Sequence, residues 1–192
     1  MGKEIFNVAL VGNPNSGKTS LFNALTGLNQ KVGNFPGVTV DRKTGITSLQ
    51  NGTKAKVIDL PGTYSLYPKS ADEYVAYETL LNPQGENVPD VIVVVADATM
   101  LQRSLLFCSQ IIDLKKPVVV ALTMTDLAEK SGVKINTESI ADFLGTEVIA
   151  INPRVGTGLD VLKLAIDTAK SKADIIAADF VSLSDVPEAM LN

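Results

Sequence analysis

The chain has 192 residues, of which 45% are hydrophobic and 20% charged, a composition typical of one globular domain rather than a disordered segment. Its formal charge of −4 argues against a nucleic-acid partner, because phosphate backbones are held by clustered lysines and arginines. With no histidine and one cysteine, Cys108, the sequence excludes a zinc site of the usual kind and a Ser-His-Asp triad.

The first element is an apolar run, 5–11, that is typical of a strand and leads into a glycine-rich loop. The loop matches G-x-x-x-x-G-K-[ST], and a helical pattern follows from about Lys18. Its glycines let backbone N–H groups converge on one phosphate, and the helix adds the positive end of its dipole. Lys18 would reach the β- and γ-phosphates and the Thr19 hydroxyl would bind Mg²⁺. The sequence therefore predicts a nucleoside triphosphate site formed by Gly12, Asn13, Pro14, Asn15, Ser16, Gly17, Lys18, Thr19 and Ser20.

Two polar loops follow the first helix. The segment 27–37 is rich in turn-forming residues and has no periodicity, so we expect a long functional loop there. Extended segments at 38–49 and 54–58 flank Asn51-Gly52, which is a strong hairpin signal. The second strand ends at Asp59-Leu60-Pro61-Gly62, where another polar loop begins.

The rest of the chain alternates helices and strands. Helices are predicted at 71–81, 101–114, 138–144 and 159–170, and strands at 90–97, 118–122 and 147–151. Cys108 lies in an apolar helical stretch and is expected in the core. This alternation predicts an α/β fold: a mostly parallel sheet of about six strands with helices on both faces and one antiparallel strand at an edge. Ligands in such sheets bind at the carboxyl ends of the strands.

The polar loops supply the groups that a nucleotide switch needs. The hydroxyl of Thr39, in the stretch Gly37-Val38-Thr39, can close over Mg²⁺ and the γ-phosphate. Asp59 places a carboxylate near Mg²⁺, and Gly62 places an N–H near the γ-phosphate. Thr123-Met124-Thr125-Asp126 ends a strand where translation-type GTPases carry an Asn-x-x-Asp base reader. We therefore expect Lys18, Thr39 and Gly62 to take part in catalysis.

The amino-acid sequences of three segments are specific enough to indicate a family. The phosphate loop, then Val32-Gly33-Asn34-Phe35-Pro36-Gly37-Val38-Thr39-Val40, then Asp59-Leu60-Pro61-Gly62-Thr63-Tyr64-Ser65-Leu66 resemble the cytoplasmic G domain of the ferrous iron transporter B (FeoB) family. The resemblance covers about 5–170 and implies a P-loop NTPase G domain that binds GTP and GDP. It implies that 1–170 form this domain and that 171–192 are a tail, either an extra helix or the truncated start of a helical domain.

The resemblance also implies a setting. In that family the G domain heads a larger membrane protein, so the expected partner is a transmembrane iron-permease domain at the cytoplasmic face of the inner membrane. A homo-oligomer stays open. With no apolar run of the ~20 residues that a membrane helix needs and no signal peptide, we expect the chain as given to be soluble and cytoplasmic.

Catalysis in this family resembles that of potassium-activated enzymes. Thr63 stands where Ras-type GTPases carry the glutamine that orients water. By resemblance, Asn15 and the carbonyls near Gly33 and Phe35 would hold K⁺, which offsets transition-state charge as an arginine finger does. The alternative is that Asn15 only shapes the loop.

The base-reading segments depart from the family pattern. Thr123 replaces the expected asparagine, while Asp126 can still accept from the guanine N1–H and 2-amino groups. The family pattern Ser-Ala-x-x-Gly-x-Gly aligns with the segment that begins Asn152-Pro153-Arg154, and Pro153 lacks the N–H that would donate to the guanine 6-oxo group. We therefore predict weakened guanine preference with ATP as a further ligand, unless the N–H of Arg154 or Val155 takes over.

Three functions remain open on these grounds. The first is a Mg²⁺-dependent, K⁺-stimulated GTP or broader NTP hydrolase that controls Fe²⁺ uptake. The second is a binding switch with negligible turnover. The third is a ribosome- or tRNA-associated GTPase, against which the acidic balance argues.

Overall fold

The computed structural model describes residues 5–183, apart from Asn29, Pro36, Pro83 and Glu86. Its strands are β1 (Phe6–Gly12), β2 (Gln30–Asn34), β3 (Asp41–Ser48), β4 (Lys54–Asp59), β5 (Val91–Asp97), β6 (Val118–Thr123) and β7 (Val148–Ala150). Its helices are α1 (Lys18–Thr26), α2 (Ala71–Leu81), α3 (Leu101–Ile112), α4 (Thr125–Lys130), α5 (Thr137–Leu144) and α6 (Leu159–Leu183). A short 3₁₀ turn, Ala98–Met100, precedes α3.

The strands form one seven-stranded sheet in the order β2-β3-β4-β1-β5-β6-β7. Strand β1 pairs in parallel with β4 and β5, and β6 and β7 continue the parallel part. Because the chain leaves β1 toward one side and later returns to the other, the crevice beyond its carboxyl end is a topological switch point. This is where the glycine-rich loop begins.

Helices cover both faces of the sheet. Helices α1 and α6 pack on one face through residues such as Phe22 and Leu162, while α2 and α3 pack on the other through Leu80 and Phe107. Burial raises the pKa of the Cys108 thiol to about 12, so this core residue stays protonated at neutral pH. The predicted mostly parallel sheet with helices on both faces is confirmed.

The antiparallel edge is larger than predicted. Within the segment expected to be a loop, β2 pairs with β3, which itself pairs with β4 across the predicted hairpin. The sheet therefore has a seventh strand. Strand β2 contains Gly33 and Asn34 and exposes 63% of Val32, so neither β propensity nor an apolar face marks it in the sequence. Backbone pairing with β3 alone makes it a strand.

Two helical features also differ from the prediction. Helix α4 has only 6 residues, too few to show periodicity in the sequence. Helix α6 continues past Lys170 for a total of 25 residues, so it crosses the predicted domain boundary. That boundary stays a prediction, and residues 184–192 of the predicted tail lie outside the described residues. Within the described part, no helix is both long and apolar enough to cross a bilayer.

Candidate functional site

The glycine-rich loop is built tightly against the sheet. A Cβ at Gly12 would lie 2.5 Å from the Val95 carbonyl oxygen on β5, so only glycine fits there. Gly17 adopts φ 86°, which favours glycine, and Asn15 adopts φ 66°. Helix α1 then begins at Lys18 without a side-chain cap. Its first N–H groups are therefore open to a ligand on the positive end of the helix dipole.

A cavity of about 470 Å³ lies over this loop. Ten residues predicted from the sequence line it: Asn13, Pro14, Asn15, Gly17, Lys18, Thr19, Ser20, Gly62, Met124 and Arg154. Beneath the loop, the Asn13 Oδ1 and Ser16 Oγ atoms are buried and have no hydrogen-bond partner within the described part of the chain. The open N–H groups at the start of α1, together with the Lys18 ammonium, fit an anionic ligand that accepts hydrogen bonds.

Lys18, which is predicted to bind phosphate, and Asp59, which is predicted to bind Mg²⁺, form an ion pair. The Lys18 ammonium contacts the Asp59 carboxylate, and the two side chains are 11% and 7% exposed. The sheet sets this contact because Asp59, at the end of β4, is the register partner of Leu10 on β1. The pair keeps a buried carboxylate and ammonium neutral as a unit. A phosphate could pair with Lys18 in place of Asp59, while a divalent cation pairs with Asp59 in place of Lys18.

The donor set fits Mg²⁺ bound with a nucleotide. In such sites the protein gives one or two oxygens and phosphates give others. Thr19 and Asp59 are of that kind, and the described residues contain no cluster of three His, Cys, Asp or Glu side chains suited to a metal by itself.

The second polar loop packs against the glycine-rich loop. A Cβ at Gly62 would lie 3.2 Å from Pro14 atoms, and the Thr63 N–H donates to the Gly12 carbonyl at 3.1 Å. Thr63 is 1% exposed, and its hydroxyl donates to the Ser65 carbonyl at 2.7 Å. The hydrogen bonds of Thr63 thus hold the neighbouring Gly62 beside the cavity.

The residues that anchor this loop were missed in the sequence. The Glu73 carboxylate accepts from the Lys69 N–H at 2.7 Å, and Gln110 on α3 accepts from the Leu66 N–H at 3.2 Å. Ser70 caps α2 by accepting from the Glu73 N–H at 3.2 Å. The Ser-x-x-Glu spacing before α2 was an available signal for Ser70 and Glu73, whereas nothing in the sequence points to Gln110.

The residues predicted in and after the first polar loop lie away from the cavity over the glycine-rich loop. Phe35 is 4% exposed and packs in the core beside α2, and its N–H donates to the Val40 carbonyl at 3.0 Å. Gly33 lies in the edge strand β2. Phe35 and Gly37-Val38-Thr39 line a separate cavity. The structure thus keeps Asn15 in one cavity and places Phe35 and Thr39 in another.

The residues at and after the end of β6 differ in their exposure. Thr123 is 2% exposed, and its hydroxyl oxygen lies 2.7 Å from the Ser16 carbonyl oxygen and 3.0 Å from that of Ala96. Met124 has a left-handed backbone, φ 58°, and lines the cavity. Asp126 is exposed in the first turn of α4. Of the predicted base-reading group, Asp126 and Met124 are accessible and Thr123 is not.

The loop after β7 satisfies its own N–H groups. The side-chain oxygen of Asn152 accepts from the Arg154 N–H at 3.2 Å, and the Asn152 carbonyl accepts from the Val155 N–H at 3.3 Å. Pro153 has no N–H to offer. A Cβ at Gly158, with φ 78°, would lie 2.3 Å from the Ala150 carbonyl oxygen, so the loop ends on an obligatory glycine. Arg154 reaches the cavity, while its N–H is engaged within the loop.

Comparison with known proteins gives a consistent result. A family model described as ferrous iron transport protein B matches residues 6–166. The Fe(2+) transporter FeoB of Leptospira biflexa is 46% identical over 165 residues, which cover 86% of this chain and 23% of that protein. The chain therefore spans about a quarter of the length of this relative.

Solved structures give the same match. The G domain of T. maritima FeoB superposes with a TM-score of 0.78 at 41% identity, covering 86% of this chain and 99% of that one. The cytosolic domain of the same transporter superposes with TM-scores of 0.81 in a GDP form and 0.79 in a GMPPNP form, at 40% and 42% identity. Those matches cover 88% and 85% of this chain and 65% and 63% of the cytosolic domain. The predicted P-loop NTPase fold is confirmed.

Proposed function

The chain belongs to the ferrous iron transport protein B (FeoB) family, and we propose that it is the GTP-hydrolysing switch of a ferrous iron transporter. One observation carries the proposal: the glycine-rich loop lines a cavity together with Lys18, whose ammonium pairs with Asp59, and α1 begins there without a side-chain cap. The GDP and GMPPNP forms of the T. maritima relative support a guanine nucleotide as the ligand.

The residues of the ion pair would exchange partners when nucleotide binds. Lys18 would turn from Asp59 to the β- and γ-phosphates, and Asp59 with the Thr19 hydroxyl would hold Mg²⁺. Bound Mg²⁺ neutralises charge that develops on the phosphate oxygens. Because each buried charge gains a new partner as it loses the old one, the exchange leaves neither unpaired. Gly62, fixed beside Pro14, would present its N–H to the γ-phosphate.

We further propose that K⁺ stimulates hydrolysis through Asn15. The proposal rests on family resemblance and on the absence of a glutamine at Thr63. Asn15 already lines the phosphate cavity, whereas Gly33 and Phe35 do not. The first polar loop must therefore move toward the cavity, which withdraws Phe35 from its packing beside α2. The same movement would carry Thr39 to Mg²⁺, so one rearrangement would complete both cation sites.

We propose that the chain has only a weakened preference for guanine over adenine. Asp126 remains able to accept from guanine, but Pro153 cannot donate and Asn152 already engages the N–H groups of Arg154 and Val155. A site that lacks a hydrogen-bond donor loses discrimination against a base without the matching acceptor. ATP is therefore proposed as a second ligand.

The setting follows from the length of the relatives. Since the chain covers 23% of the L. biflexa transporter, we propose that it works beside a transmembrane iron-permease domain, at the cytoplasmic face of the inner membrane. Self-association of the chain is compatible with this setting and is not required by it. The cargo, Fe²⁺, would be handled by that other domain.

Turnover in two salts tests the hydrolase. With Mg²⁺ and GTP, we expect phosphate release to be several-fold faster in KCl than in NaCl of equal ionic strength. The variant Asn15→Ala should remove this difference while its GDP affinity changes only a few-fold. Lys172→Ala, an exposed control away from the cavity, should keep it.

The outcomes separate the alternatives. Tight GTP binding without turnover in either salt would favour a binding switch over an enzyme. Turnover at equal rates in both salts would remove K⁺ from the mechanism and leave the hydrolase intact.

A further inference from the structure

Thr123 lies where two parts of the site meet. It is the last residue of β6, and it packs under the glycine-rich loop at Ser16 and Gly17. Its side chain is 2% exposed and does not line the phosphate cavity, although the next residue, Met124, does. A nucleotide in that cavity would therefore not touch Thr123.

Both branches of the Thr123 side chain face the loop. The hydroxyl oxygen lies 2.7 Å from the Ser16 carbonyl oxygen. The methyl carbon lies 3.6 Å from where a Cβ of Gly17 would stand. Within the described residues, no backbone N–H donates to the Ser16 carbonyl, so this hydroxyl is its partner.

The same hydroxyl also reaches the sheet. The Ala96 carbonyl oxygen on β5 lies 3.0 Å away, so one proton is shared between the loop and the neighbouring strand. Ser16 is itself 1% exposed, so loss of the hydroxyl would leave its carbonyl buried without a donor. The contact ties the middle of the loop to two strands.

We propose that Thr123 is a positioning residue that holds the glycine-rich loop in its phosphate-binding shape, with an effect that does not depend on the base. The proposal rests on the proposed nucleotide site but assigns Thr123 to its phosphates rather than to guanine. The departure from asparagine at this position therefore preserves the loop while it gives up the base.

A matched set of substitutions tests this. Thr123→Val keeps the shape and removes the hydroxyl, and Thr123→Ser keeps the hydroxyl. Thr26→Val is the control, because Thr26 is also a buried threonine whose hydroxyl donates to a carbonyl, that of Phe22 at 2.8 Å, but at the far end of α1. The affinities for GDP, ADP and pyrophosphate are measured by calorimetry with Mg²⁺.

We expect Thr123→Val to weaken all three ligands by a similar factor of about ten, as the loss of one buried hydrogen bond with a stranded partner implies. Thr123→Ser should stay within about threefold of the parent, and Thr26→Val should not differ from it. A loss confined to GDP would overturn the proposal in favour of a base contact. Equal losses in the valine and serine variants would also overturn it, because the hydroxyl would then be irrelevant.

Hydrogen exchange gives a second measurement that needs no ligand. The amides of 13 and of 15–19 should exchange several-fold faster in Thr123→Val than in the parent and return toward the parent rate in Thr123→Ser. Unchanged exchange in the valine variant would contradict the proposal. If the parent bound no nucleotide, the proposed function would fail, while the exchange rates would still decide the role of Thr123.

Discussion

The two ends of the nucleotide cleft are built differently. The phosphate end, 12–20 with Asp59, exposes Asn15 and Thr19 but is tied to the sheet. Gly12 fits against β5, Thr123 holds Ser16, and Lys18 pairs with Asp59. The base end, 124–126 with 152–154, is exposed at Asp126 and Arg154. In its second segment, the N–H groups of Asn152 and Arg154 are engaged within the loop after β7.

This contrast assigns affinity and selectivity to separate parts of the molecule. On the proposed function, the phosphate end would bind any nucleoside polyphosphate, because its contacts would come from backbone amides, Lys18, Thr19 and Asp59. The base end would contribute through the exposed Asp126 carboxylate. Changes at the two ends should therefore have distinguishable effects: equal loss for GTP and ATP at one end, and unequal effects at the other.

The largest effect is expected for Lys18→Ala. Removal of the ammonium takes the only cation of the loop away from the β- and γ-phosphates and leaves the Asp59 carboxylate unpaired. We expect GTP and ATP affinity each to fall by at least about a hundredfold, since a charged hydrogen bond is worth ~1.5–3 kcal/mol before the repulsion from Asp59 is added. Fluorescent-nucleotide titration measures this.

Lys172→Ala serves as the control because Lys172 is exposed on α6 and lies outside the phosphate cavity. Circular dichroism establishes that both variants are folded. Retention of GTP affinity in Lys18→Ala within a few-fold would show that the cavity over the glycine-rich loop is not the phosphate site.

The phosphate end could be predicted from the sequence because its constraints are local. The spacing from Gly12 to Thr19 fixes a loop between a strand and a helix, and all ten residues that line the cavity were predicted. The parallel strands could be predicted for a similar reason, since buried strands are continuous apolar runs such as that of β5.

The remaining features depend on contacts distant in the sequence. The register of β2 on β3 decides whether 30–34 are strand or loop, and burial of Phe35 beside α2 keeps the first polar loop away from the cavity. The sequence also showed that Thr123 replaces the expected asparagine. It could not show that the hydroxyl reaches Ser16 and Ala96, because that depends on how closely β5, β6 and the loop pack.

A smaller, base-dependent effect is expected for Asp126→Ala. The exposed carboxylate would accept from two guanine groups that adenine lacks, so GDP affinity should fall by about tenfold to a hundredfold while ADP affinity stays within twofold. Asp142→Ala, an exposed aspartate on α5, is the matched control and should change neither affinity. Equal loss for GDP and ADP would place Asp126 at the phosphate end and end the division between the two regions.

The smallest effect, and a gain rather than a loss, is expected for Pro153→Ala. The substitution supplies a backbone N–H at the position aligned with the guanine 6-oxo donor, in a loop whose N–H groups at Arg154 and Val155 are already engaged by Asn152. One added hydrogen bond of ~0.5–1.5 kcal/mol corresponds to about twofold to tenfold tighter GDP binding, with ADP unchanged because adenine has no 6-oxo group. Calorimetric titration of both nucleotides against parent and variant measures the difference. If GDP binding does not improve, the base end must take its donor from another residue. Asn152→Ala then provides the deciding comparison, because it releases the Arg154 N–H without changing Pro153, and a gain there for GDP alone would identify that N–H as the donor.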